Sequence, residues 1–242
     1  MLLLAVWLPP GTLETLGALV EEREAETPWG KVGPVARRRV AGTSDLWVLP
    51  YSGSPTRTDP RAPLWVARQW GIRRLIGWDT VVALNPSLRR GDNVILIDTV
   101  DATRQLPATI LDDQDGSRQT AVPCLCADMQ LLLNRMLPHS RPAVYLATDA
   151  LRRETPAEAR VYRGWGCDVI GQNLVPEAIF AWEMGLCFAG LGTVSELAAD
   201  RTAVETRGEV REAIRQIIEM LPRFLATLSD DCKCECARRY KD

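Results

Sequence analysis

The stretch ETPAEARVYRGWGCDVIGQNLVPEAIFAWEMGLCFAGL, Glu154 to Leu191, decides the fold. Pro156 sits where a helix starts, followed by good helix formers as far as Trp165. Gly166 then stands where a C-terminal cap belongs. Asp168 to Ile170 reads as a short strand. Pro176 opens a second helix to Met184, and Gly185 follows it as another cap. Cys187 to Leu191 is a continuous apolar run, as expected of a strand buried on both faces. Strands and helices in alternation predict an α/β fold.

The pattern continues outward from this stretch. Further strands are predicted at Leu3 to Leu8, Leu46 to Leu49, Arg74 to Trp78, Asn93 to Asp98 and Ala143 to Thr148. Further helices are predicted at Leu13 to Glu24, Pro60 to Trp70, Met129 to Leu137 and Thr206 to Thr227. In the last, Val210, Ala213, Ile214, Ile217, Ile218 and Leu221 follow a period near 3.6. Residues 101–123 are polar and turn-rich, and read as a surface loop. No repeat or low-complexity linker divides the 242 residues, so 1–242 is expected to be a single domain.

Composition narrows the partners. The formal net charge is −2 and the basic residues are scattered, which argues against nucleic acid. The densest basic spots, Arg37 to Arg39, Arg73-Arg74 and Arg152-Arg153, read as solvated faces. Met1 to Leu8 is too short for a membrane span and lacks the marks of a signal peptide. No membrane association and a cytoplasmic location are therefore expected. Cys167 and Cys187 stand alone in apolar contexts and read as small buried hydrophobes. Cys124 and Cys126 share one segment. Cys232, Cys234 and Cys236 crowd the tail, 228–242, as CKCEC. Zinc, a disulfide or free thiols in a terminal loop are the alternatives there, and CxC is tighter than the usual CxxC of zinc sites.

The stretch Glu154 to Leu191 resembles the purine nucleoside and methylthioadenosine phosphorylases. That family reads an E-T-P-A-E-like helix start, then G-A-D-V-I-x-M-T-T-V-P-E-A, then a G-x-C-Y-A strand. The counterparts are Gly166 to Ile170, Val175 to Ala178 and Gly185 to Ala189. Arg90 to Ile95 is similar to the family's P-G-D-x-V-I, and Trp70 to Ile76 to its L-G-V-x-R-I-I. Cys234 to Ala237 resembles the C-x-C-A tail of the methylthioadenosine branch. The resemblance covers nearly the whole chain. It implies an α/β single domain, a mixed central β-sheet flanked by helices, assembled as a homo-oligomer (trimer or hexamer). It implies a small-molecule purine nucleoside or base as ligand, with phosphate as co-substrate, and no cofactor or metal.

At the functional positions the residues depart from the family. Its phosphate cradle begins with a Gly-Gly-Ser/Thr-Gly loop, where this chain has Leu8-Pro9-Pro10-Gly11. Two prolines offer no N–H donors. The family's R-H-G-x-G-H-R becomes Tyr51-Ser52-Gly53-Ser54-Pro55-Thr56-Arg57, keeping only the last arginine. Its S-A-V-G-S becomes Asp79-Thr80-Val81-Val82-Ala83. A carboxylate beside a phosphate dianion weakens binding unless neutralised. The family's phosphate-side threonine becomes Asn173, and the methionine that packs on ribose becomes Gln172.

The nucleoside side changes less. The family's G-P-R-F-E-T becomes Ala150 to Thr155. Arg152 matches, and Arg153 replaces the aromatic that stacks on the base, which its planar guanidinium can also do. Glu154 matches the acid that reads the purine edge, or is an acid at a helix N-terminus. Ser195-Glu196 stands where the family's T-D or T-N pair meets purine N7. Glu196 is either a general acid with a raised pKa in an apolar pocket or the start of a helix capped by Ser195. Asp79 is either a general base for water or a solvated or helix-capping carboxylate.

Three readings follow. The first is cleavage of the N-glycosidic bond of a purine nucleoside such as methylthioadenosine, inosine or adenosine, with phosphate or water as acceptor. The second is a catalytically silent relative that binds a purine nucleoside or serves as a partner subunit. The third is a different, acidic ligand drawn by Arg57, Arg152 and Arg153.

Overall fold

The computed structural model describes residues 1–5, 11–40, 42, 45–50, 59–104, 107–110, 125–149, 152–202, 208–228 and 234–236. The elements are β1 (Leu2–Ala5), α1 (Thr12–Thr15), β2 (Ala18–Thr27), β3 (Gly30–Arg39), β4 (Leu46–Pro50), α2 (Arg61–Gln69), β5 (Arg74–Ala83), β6 (Asn93–Asp101), α3 (Ala127–Met136), β7 (Arg141–Ala147), α4 (Pro156–Gly164), β8 (Val169–Gly171), α5 (Val175–Glu183), β9 (Cys187–Leu197) and α6 (Gly208–Thr227).

The strands form one mixed sheet in the order β2-β3-β4-β1-β5-β8-β7-β6-β9. β9 also pairs with β5, in parallel from Arg74 with Cys187 to Ala83 with Leu197. The five strands β5, β8, β7, β6 and β9 thereby close on themselves, which leaves none of them with an open edge. The closure is held by a buried polar chain. Trp78 Nε1 donates to Thr193 Oγ1 at 3.0 Å, Thr193 Oγ1 donates to Asn93 Oδ1 at 2.8 Å, and Asn93 Nδ2 donates to the Ala213 carbonyl at 2.9 Å. One relay thus ties β5, β9, β6 and α6 while satisfying each buried group.

The core lies around these strands, with Phe180, Phe188 and Phe224 fully buried. Gly77 is glycine because a Cβ there would lie 2.4 Å from Leu174 Cδ2 and 2.6 Å from Phe188 Cζ. Without a side chain, β5 can accept α5 and β9 at close range.

Three expectations are corrected. The helix predicted at Leu13 to Glu24 is one short turn, α1, followed by β2. β2 and β3 form an antiparallel hairpin at the end of the sheet. β2 is exposed along most of its length, so it carries no apolar alternation to betray a strand. Ser195 and Glu196 begin no helix: β9 continues through both to Leu197. Cys187 does not stand alone, because the tail cysteines Cys234 and Cys236 reach it. Both tail cysteines are buried, and with Cys126 and Cys187 their sulfurs all lie within 4.8 Å of one another. Cys124 and Cys232 lie outside the described residues.

β6 ends at Asp101, the first residue of the stretch read as a surface loop, and further along that stretch Ile110 N–H donates to Glu183 at 2.8 Å. Among the described residues, no helix is long and apolar enough to cross a membrane.

Candidate active site

A cleft of about 680 Å³ opens where the second half of β5 meets β8 and the end of β9. Its walls include Asp79, Thr80, Arg152, Arg153, Glu154, Gln172, Asn173, Ser195 and Glu196. Residues distant in sequence are thus brought to one place. Of the residues predicted for the phosphate side, Thr80 lines the cleft, whereas Gly11 is exposed with φ +81 and is not among the lining residues. Pro10, Tyr51, Ser52 and Arg57 lie outside the described residues.

Asp79 forms the floor. It is 2% exposed, so the reading of a solvated or capping carboxylate does not hold. Tyr145 Oη, fully buried on β7, donates to Asp79 Oδ2 at 2.7 Å. The Asn173 backbone N–H donates to Tyr145 Oη at 3.1 Å, which fixes the hydroxyl's proton toward the carboxylate. Weaker donors at 3.4 and 3.5 Å come from Gln172 N–H and Asn173 Nδ2. Burial outweighs these donors and pushes the Asp79 carboxyl up to about 6. Burial also drives the Tyr145 hydroxyl well above its ordinary value, helped by the adjacent Asp79 charge.

The backbone beside Asp79 is shaped for this contact. A Cβ on Gly171 would lie 2.0 Å from Tyr145 Oη and 2.5 Å from Asp79 Oδ2. Leu174 is the one non-glycine among the described residues with positive φ, at 76°. It is the N-cap of α5 and turns the chain immediately after Gln172 and Asn173. Such strain persists only where packing enforces it, and Leu174 is buried.

The opposite wall is ionic. Arg153 pairs with Glu196, donates to Glu154 Oε1 at 3.2 Å and donates to the Leu197 carbonyl at 2.7 Å. Glu154 stands at the N-terminus of α4, and its Oε1 also accepts from Ala199 N–H at 2.8 Å, which ties α4 to the chain after β9. Thr155 is the cap, in a reciprocal box with Glu158. Arg152 donates to both oxygens of Glu158, at 2.8 and 2.6 Å. This pairing pulls the Glu158 carboxyl down to about 2.

Glu196 is 51% exposed and paired with Arg153, which is not the apolar setting that a raised acid needs. Ser195 Oγ donates to the Val81 carbonyl at 3.4 Å. The register sets Asp79 opposite Gly192 and Val82 opposite Glu196. The floor acid and the rim acid therefore stand roughly 10 Å apart along the strands.

Several lining residues escaped the sequence reading: Arg104, Asp149, Tyr162 and, behind the floor, Tyr145 and Gly171. Tyr145 lies within an apolar strand, and only the pairing of β7 with β8, with Ala147 opposite Gly171, reveals its closeness to Asp79. Arg104 follows β6 in a polar stretch with no periodicity to place it.

The sequence profile of the Phosphorylase superfamily matches residues 7–229. A probable S-methyl-5'-thioinosine phosphorylase of Methanothermobacter thermautotrophicus is 29% identical over 96% of this chain and 84% of its own length. A 6-oxopurine nucleoside phosphorylase of Pyrococcus furiosus is 28% identical over 91% of each chain. Among solved structures, a methylthioadenosine phosphorylase from an antarctic soil metagenomic library superposes with a TM-score of 0.85. The two share 20% identity over 98% of this chain and 90% of that one, a likeness of fold. With a profile match over most of its length and the same fold, this chain belongs to the Phosphorylase superfamily.

Proposed function

We propose that this protein cleaves the N-glycosidic bond of a purine nucleoside, such as methylthioadenosine, inosine or adenosine, and passes the sugar to phosphate. The observation that carries this reading is the cleft itself. In a chain of this superfamily, one cavity joins a guanidinium and two acids at one wall to a buried polar floor. The relatives are named for phosphorolysis of purine nucleosides and of their methylthio analogues. The purine is placed against Arg153, Glu154 and Glu196, and the sugar over Gly171 to Asn173. For Glu196 to protonate the base, Arg153 must leave their ion pair, as it would by stacking on the purine. The same reading places the chain in a homo-oligomer, a trimer or hexamer.

Asp79 favours a second reading, with water as acceptor. A carboxyl raised to about 6 is mostly ionised at neutral pH yet far more basic than an ordinary carboxylate, which suits a general base. It also opposes a phosphate dianion.

The test is chromatographic detection of free base from inosine, adenosine, guanosine and methylthioadenosine, with and without phosphate. Release that requires phosphate supports phosphorolysis. Release without phosphate that disappears in Asp79→Asn supports hydrolysis. No release under any condition overturns both in favour of a binding or partner role.

A further inference from the structure

Four cysteines converge at the start of β9, roughly 25 Å along that strand from Ser195. Cys187 is the first residue of β9, and its N–H donates to the Arg73 carbonyl at 2.9 Å. Cys126 is the N-cap of α3, and its N–H donates to the Phe188 carbonyl at 2.8 Å. Two rigid elements are therefore pinned to each other at the point where their thiols meet. Cys234 and Cys236 arrive from the tail beyond α6, with Cys234 Sγ 3.3 Å from Cys187 Sγ. All four are buried.

The arrangement of the sulfurs discriminates between occupants. Two disulfides would draw sulfurs together in pairs about 2.05 Å long and leave the pairs apart. None of the described cysteines is in a disulfide, and here every sulfur lies within 4.8 Å of the other three. A single ion with four bonds of about 2.3 Å sets tetrahedral sulfurs about 3.8 Å apart, between the 3.3 Å contact and the 4.8 Å limit. A cubane iron–sulfur cluster hangs its thiolates from separate irons and needs a wider spread. Four soft donors with no carboxylate or imidazole among them select zinc or a similar soft divalent ion over magnesium or calcium.

We infer that Cys126, Cys187, Cys234 and Cys236 form a tetrahedral tetrathiolate site for one zinc ion, which fastens the C-terminal tail to α3 and β9. Binding exchanges four S–H bonds for four S–Zn bonds and releases four protons. Neither sulfur nor metal changes oxidation state. All four positions are filled by protein, so the site is structural, and its binding energy adds to folding. The sequence conceals it because two ligands come from separate elements and the CxC pair departs from the usual zinc spacing.

The test uses the full chain, purified under reducing conditions without chelator. Elemental analysis should find about one zinc per chain. Replacement by cobalt should give the intense sulfur-to-cobalt charge-transfer band and the visible bands of tetrahedral Co(II). Cys236→Ser should shift those bands while the protein stays folded. Metal-free protein that binds no cobalt tightly would overturn the inference. So would an intact mass, measured without reductant on freshly purified protein, that is four hydrogens lower, because that is the signature of two disulfides. Base release does not enter these readouts, so the metal site stands or falls independently of the proposed activity.

Discussion

Asp79 carries a charge that burial opposes, and this makes its contribution to stability depend on pH. Its carboxyl titrates near 3.8 in an ordinary setting and about 6 in the fold. Between those values the folded chain holds more protons than the unfolded one, so stability falls as pH rises through this window. The loss is complete above about 6 and amounts to about 3 kcal/mol. Asp79→Asn removes the ionisation, so its stability should lack this slope. Denaturant midpoints of both proteins at pH 4 and pH 8 check it: the variant should gain on the parent at the higher pH. Gly171 lies against the same pair. Gly171→Ala should cost about 1–3 kcal/mol by overpacking and should lower base release as the Asp79–Tyr145 contact is displaced. An unchanged urea midpoint would contradict this account of the floor. The sequence showed that a carboxylate had entered this position. It could not show Tyr145, whose hydroxyl meets Asp79 only through the pairing of β7, β8 and β5.

At the scale of elements, the legible parts were those with strong local signals. Thr155-Pro156 announces α4, and the structure adds the reciprocal cap with Glu158. Thr155→Ala should cost about 1 kcal/mol, read as a lowered denaturant midpoint. A midpoint that does not move would mean that the cap contributes nothing beyond the proline. The hairpin of β2 and β3 was hidden because exposed strand residues need no alternation, while the charges of Leu13 to Glu24 suit a helix as well. β9 outran its prediction for a related reason. Its apolar run ends before Ser195-Glu196, but its pairing with β5 continues to Leu197. Backbone hydrogen bonds extend the strand where side-chain polarity suggests a new element, and that extension delivers Glu196 to the cleft rim.

At the scale of the molecule, the alternation of strands and helices carried the fold class, whereas the closing of five strands into a barrel did not follow from it. Closure needs β9 to pair with both β5 and β6, a long-range choice with no sequence period of its own. That closure brings β5, β8 and β9 together, and the cleft lies where they meet. The central claim is that a purine nucleoside is held and severed in this cleft. The most direct measurement is a crystal structure with a slowly cleaved purine nucleoside analogue bound. The account predicts the purine against Arg153 and Glu154, the sugar over Gly171 to Asn173, and the Arg153–Glu196 pair opened. A nucleoside bound elsewhere, or bound with that pair intact and the sugar away from Asp79, would contradict it.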